Sequence, residues 1–124
     1  VNTEIKLLDL ETSTYKTDNQ VLSYAKFDKV FEKEKFDLIC IDAPFGGKAI
    51  EYARVDVCRL LPNILLKRFV IMLDDSQRRG ETNTAKEIET ILTQNGISFK
   101  SGRYRGIKEN YIVVSEDLAF LCTL

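Results

Sequence analysis

Two short apolar runs constrain this chain most: Phe36 to Asp42 (FDLICID), and Phe69 to Leu73 (FVIML) followed directly by Asp74 and Asp75. A strand with one wet face alternates apolar and polar residues, and these runs do not. Such runs predict strands covered on both faces, as in a parallel sheet with crossover connections. Between them, Ile50, Ala53, Val57, Leu60, Leu61 and Ile64 recur at helical spacing and predict an amphipathic helix ended near Pro62.

Reading outward extends the pattern. Glu4 to Leu10 (EIKLLDL) is strand-like, Glu11 to Gln20 is polar with turn character, and Val21 to Phe31 carries a helical stripe at Tyr24, Phe27, Val30 and Phe31. After Asp75, a loop from Ser76 to Asn83 leads to Thr84-Ala85-Lys86-Glu87. That spacing predicts a capping box, with Ile88, Ile91 and Leu92 as the buried stripe and Asn95-Gly96 as the stop. Ile97 to Tyr104 and Asn110 to Ser115 read as an antiparallel strand pair. The predicted class is α/β: a three-layer open, mostly parallel sheet with helices on both faces and a C-terminal antiparallel pair, in one domain spanning residues 1–124.

Composition narrows function by exclusion. The chain has no His, which removes Ser-His-Asp and Cys-His catalysis and His-ligated zinc. A formal charge of −1 removes the general electrostatic case for nucleic acid or an anionic membrane. No apolar run approaches the roughly 20 residues a membrane helix needs. Cys40, Cys58 and Cys122 are odd in number, lack CxxC spacing and have apolar neighbours, which predicts buried, reduced thiols in a cytoplasmic protein.

In open α/β sheets, ligands bind beyond the carboxyl ends of the strands. Asp42, Asp74 and Asp75 stand at those ends, and adjacent parallel strands lie roughly 5 Å apart. The three acids could therefore converge. They either cap their own loops, hold a hard divalent cation, or accept hydrogen bonds from a ligand's hydroxyl and amino groups. The loop Pro44, Phe45, Gly46, Gly47 and Lys48 lets backbone approach a ligand but matches neither a P-loop nor a dinucleotide fingerprint. Arg78 or Arg79 could grip a carboxylate or phosphate, or pair internally with Glu81. The basic residues Lys100, Arg103, Arg105 and Lys108 read as a solvated edge.

Phe36 to Pro44, then Tyr52-Ala53-Arg54, then Met72 to Asp75 with Arg78 and Glu81, resemble the second half of class I S-adenosylmethionine-dependent methyltransferases. The stretch Gly106 to Val114 is similar to that family's last antiparallel strand, and Glu4 to Leu10 to its third strand. The likeness runs from Glu4 to Ser115, with Ala43 in place of the more usual Gly. The family's glycine-rich turn after its first strand and the acid ending its second are not found before Phe36.

The resemblance implies the acceptor side of a partial Rossmann-like methyltransferase domain, inactive as a fragment, with the S-adenosylmethionine site largely elsewhere. The sequence starts at Val1 and its single methionine is Met72, in keeping with a piece of something longer. By the resemblance, Asp42 lies near the cofactor's methionine end, with Lys48 as a base. Pro44, Phe45, Gly46, Gly47, Arg54, Asp74, Asp75, Arg78 and Glu81 would face a small polar or sugar-like acceptor. Asp42, Asp74 and Asp75 match a metal-ligand set in metal-dependent members. The alternative is a non-catalytic α/β interaction module that self-associates through an exposed sheet edge.

Overall fold

The structure, a computed structural model, describes residues 2–46 and 51–123. Lys48, Gly47 and the start of the expected helix at Ile50 lie outside the described residues.

In chain order the elements are β1 (Leu10–Tyr15), β2 (Asn19–Tyr24), α1 (Phe27–Phe31), β3 (Phe36–Ile41), β4 (Leu65–Leu73), α2 (Arg79–Gln94), β5 (Phe99–Arg105) and β6 (Glu109–Ser115). Short 3₁₀ segments occupy Asp56–Arg59 and Glu116–Cys122. The class is α/β, with a two-stranded sheet β1-β2 and a mixed four-stranded sheet ordered β3-β4-β6-β5.

The two apolar runs are β3 and β4, and they pair in parallel with Ile39 opposite Ile71 and Ile41 opposite Leu73. The expected C-terminal antiparallel pair is β5-β6. A mostly parallel sheet is corrected at the level of pairing. The short connection after β5 turns β6 back, and β6 inserts between β4 and β5, antiparallel to both.

In-register neighbours share a face, so Ile39, Ile71 and Val113 point one way, with Ile41, Leu73 and Tyr111 one step along. These join Ile88 and Leu92 of α2 in the main core. On the opposite face, the Glu116–Cys122 segment covers β5 and β6. A side chain at Gly102 would come within 3.0 Å of the Cys122 carbonyl oxygen, so glycine is what lets that segment close. The cover meets β4 at Arg68, which pairs with Asp117, and beyond that point Leu38 is 53% exposed and Cys40 and Met72 are also exposed.

Several local expectations are corrected. Glu4 to Asp9 forms no strand; the Asp9 carbonyl accepts the Ala25 amide at 2.7 Å, but Ile5 and Leu7 stand in solvent. Glu11 to Gln20 is a β-hairpin rather than turn alone, its reversal made by Lys16 and Thr17 at positive φ. Val21 and Ser23 then alternate inward on β2, so the helix there shrinks to α1. The stripe from Ala53 to Ile64 is buried as expected but is not a helix. Arg54 adopts φ 61°, which leaves the right-handed helical region, and only Asp56–Arg59 coils. Helix α2 begins five residues before Thr84, so the capping box is corrected too: Thr84 sits inside the helix and Glu87 turns to Tyr15 and Lys16. The helix stop is where Asn95-Gly96 places it, with Gly96 at φ 68°. Buried thiols hold only for Cys58; Cys40 is exposed because the outer face of β3 is uncovered.

A candidate functional site built around Arg54

The three acids converge. Asp42 follows β3, Asp74 and Asp75 follow β4, and one carboxylate oxygen from each lies within 4.8 Å of the other two. The parallel pairing does this directly, because Asp74 N–H donates to the Ile41 carbonyl at 3.0 Å and sets the two strand ends level.

A guanidinium stands among these acids. Arg54 is 3% exposed; its Nη2 donates to Asp75 at 2.9 Å and its Nη1 to the Asp74 carbonyl at 2.9 Å. Nη1 also lies 3.3 Å from Asp42, and Nε lies 3.6 Å from Glu81. Arg54 and Asp75 both adopt left-handed backbone, at φ 61° and 56°. The buried ion pair is therefore made by two residues in a conformation that costs non-glycine residues roughly 1–2 kcal/mol each.

Neighbouring elements hold this arrangement in place. Thr84 Oγ1 donates to the Ala53 carbonyl at 2.6 Å and to the Gly80 carbonyl at 3.0 Å, and Asn83 donates to the Glu51 carbonyl at 2.7 Å. Helix α2 thus grips the irregular segment that carries Arg54. Thr84→Val removes the donor from a buried carbonyl and should lower stability by about 1–3 kcal/mol. Urea unfolding would read that loss, and an unchanged midpoint would mean the Arg54 segment is held by other contacts.

On the solvent side, Arg78 Nη1 lies 3.2 Å from Asp75 and its guanidinium covers the exposed Phe45 ring at 5.6 Å. Lys108 reaches Asp75 at 3.3 Å and Asp74 at 3.8 Å. Burial pushes the Asp75 carboxyl up, but Arg54, Lys108 and Arg78 outweigh it and hold it below the usual carboxylate range. Glu109 anchors the same loop from β6. It accepts from Ser76 at 2.9 Å and pairs with Arg103 and Arg105; the Ser76 hydrogen bond first, then Arg103 and Arg105, hold its carboxyl low.

The expected site residues thus fall into two groups. Arg54, Asp75 and Glu81 are buried and face one another; Arg54 Nη2 donates to Asp75, while Arg54 Nε, Asp75 Oδ1 and Glu81 Oε1 are buried without a hydrogen-bond partner among the described residues. Asp42, Phe45 and Arg78 are exposed and Asp74 half-buried, so they offer the surface a ligand would meet; Pro44 is buried and Gly46 half-buried beside them. The sequence reading gave Lys108 to a solvated edge and Thr84 to a capping box, and assigned Glu109 no part in the site. Strand pairing is what brings Lys108 in: β6 alongside β4 puts the residues just before Tyr111 next to those just after Leu73.

Among the described residues, four carboxylates (Asp42, Asp74, Asp75, Glu81) face three cations (Arg54, Arg78, Lys108). A guanidinium inside an acid cluster does electrostatically what a bound metal would do. The exposed rim presents an acceptor in Asp42 and donors in Arg78 and Lys108, a combination suited to a polar molecule. Comparison of the chain with family models, curated proteins and solved structures gave no match. No helix among the described residues is long and apolar enough to cross a membrane.

Proposed function

We propose that this chain is the distal, acceptor-side part of an S-adenosylmethionine-dependent methyltransferase-like domain, a partial three-layer Rossmann-like arrangement acting on a small polar or sugar-like acceptor in the cytoplasm. The observation that carries the reading is the meeting of Asp42, Asp74, Asp75, Arg54, Arg78 and Glu81 at the carboxyl ends of β3 and β4. Those are the residues on which the resemblance rests. A last strand running against its two neighbours supports it as well.

The residues present do not fit the whole cofactor. Asp42 is the one described residue the resemblance places near S-adenosylmethionine, and no adenosine- or ribose-binding turn accompanies it. No methyl-transfer step is therefore assigned to these residues. Equilibrium binding of S-adenosylhomocysteine decides the matter. The 124-residue chain should give no saturable heat, and the longest form of the protein its gene encodes should bind. No binding by that longer form would sink the enzyme reading.

A divalent cation held by Asp42, Asp74 and Asp75 is the second element of the proposal, since their oxygens already cluster. It would compete with Arg54 for those oxygens. Titrated with millimolar Mg²⁺ or Ca²⁺, the parent chain should release saturable heat, and Asp42→Asn, a mild change at the exposed end of the cluster, should release less. Silence in both, together with no effect of Asp75→Ala, counts against a metal.

The alternative, a self-associating interaction module with no catalysis, is favoured by one observation: β3 is an edge strand whose outer face shows Leu38 and Cys40. Free apolar edges pair with other chains. Sedimentation should then show oligomers that grow with concentration; a strictly monomeric profile removes that reading.

A further inference from the structure

A cavity of 460 Å³ runs along the free edge of β3, bounded by β3, α1 and the segment from Arg54 to Ile64. Its volume falls in the range of small-molecule sites. Three of its walls are aromatic: Phe27 and Phe31 lie 4.8 Å apart between ring centres, and Phe31 and Phe36 lie 6.2 Å apart. Ile39, Val57 and Ile64 supply much of the remaining apolar lining.

One part of the lining is charged, and its balance is unequal. Asp42, Asp56 and Arg54 all line the cavity. Arg54 is already engaged by Asp75 and the Asp74 carbonyl, with Glu81 and Asp42 close by. Asp42 keeps three-quarters of its side chain accessible, at 75%. Asp56 is buried and accepts the Tyr24 amide at 3.1 Å through one oxygen. Among the described residues the lining therefore carries two acids against one base, and that base is ion-paired to Asp75. An anion entering here would meet Asp42 and, among the described residues, find Arg54 already ion-paired to Asp75; an ammonium would meet a carboxylate and aromatic faces able to stabilise it.

We propose that this cavity is a binding site for a small organic amine: a flat apolar or aromatic body lodged among Phe27, Phe31 and Phe36, with its ammonium directed at Asp42. The proposal stands apart from methyl transfer, because it rests on the shape and charge of the cavity and its test contains no methyl donor.

The test uses the intact chain and three probes that share a ring and differ in their polar end: 2-phenylethylamine, 2-phenylethanol and phenylacetate. By isothermal titration the amine should bind saturably and about tenfold more tightly than phenylacetate, with the alcohol between them. Asp42→Lys, a substitution at an exposed position, should weaken the amine by about tenfold or more while leaving the alcohol nearly unchanged. Ile39→Trp fills the cavity and should abolish binding of both, with circular dichroism checking that the variant is folded.

Equal affinity for amine and phenylacetate, or no saturable heat from any probe, overturns the proposal. So does amine binding that survives Asp42→Lys undiminished. A second copy seated on the β3 edge would instead give a dimer that excludes the amine, and that outcome overturns it as well.

Discussion

Replacing Arg54 with methionine is expected to cost about 3–5 kcal/mol, because it removes the one buried guanidinium of the cluster and leaves the buried Asp75 and Glu81 to the half-exposed Arg78, with Lys108 on Asp75. Against a total stability of roughly 5–15 kcal/mol for a domain of this kind, the change would bring the chain close to unfolding at room temperature. The mechanism makes the loss specific to one end of the network. Asp42→Asn removes a charge from the exposed end and should cost no more than about 1 kcal/mol. A double variant, Arg54→Met with Asp75→Leu, should recover part of the Arg54 loss, since replacing a whole buried pair with apolar groups is often close to neutral. Urea unfolding of the four proteins would check this. A single Arg54→Met variant as stable as the parent would mean that the buried carboxylates take up protons or water at little cost.

Asp75→Ala should be the second most damaging change, at about 3–5 kcal/mol, and its cost has two separable parts. One is the lost partner for Arg54, Arg78 and Lys108; the other is an alanine forced to φ 56°. Asp75→Gly suffers the first loss but not the second, so it should exceed Asp75→Ala in stability by about 1 kcal/mol. Asp75→Asn keeps a side chain that tolerates left-handed backbone and can still accept a hydrogen bond, and should be the mildest of the three. Gly and Ala variants of equal stability would show that the backbone at Asp75 carries no strain.

Asp75 also sets the direction of the pH response. Its carboxyl titrates below its unfolded-state value, so the folded chain binds this proton less readily than the unfolded chain. The stabilisation is complete above the unfolded pKa of about 3.9 and is lost as pH falls from there through the lower folded value. Glu109, held low chiefly by Ser76 and Arg103, contributes with the same sign. Stability measured down the acid limb should fall more steeply for the parent chain than for Asp75→Asn; parallel curves would exclude Asp75 as a source of acid sensitivity.

What could be read from the residues alone divides along physical lines. Apolar runs and the acids that end them translate directly into position, because parallel neighbours bring like ends of strands together; hence β3, β4 and the convergence of Asp42, Asp74 and Asp75 were legible. Burial was legible without geometry in the Ala53 to Ile64 segment. Its apolar spacing marks the right residues as core, but local periodicity cannot register that α2 takes the carbonyls of Glu51 and Ala53 or that Arg54 turns left-handed. The same limit explains the misplaced start of α2. Thr84 and Glu87 match a capping box, yet tertiary partners, the Ala53 carbonyl for one and Tyr15 with Lys16 for the other, decide what their side chains do. Lys108 was hidden because its role depends on β6 inserting beside β4, a topological fact that no short window contains.

The three thiols stand at three depths, and this makes the chain a chemical clock for its own surface. Burial pushes the Cys58 thiol up to about 12, leaving it almost without thiolate at neutral pH, and Cys122 is half-buried with its thiol raised as well. Cys40, on the edge strand, is exposed. An alkylating reagent should therefore mark Cys40 first, then Cys122, and reach Cys58 only when the fold opens. Whatever comes to lie against β3 will slow the first of those steps and leave the other two unchanged.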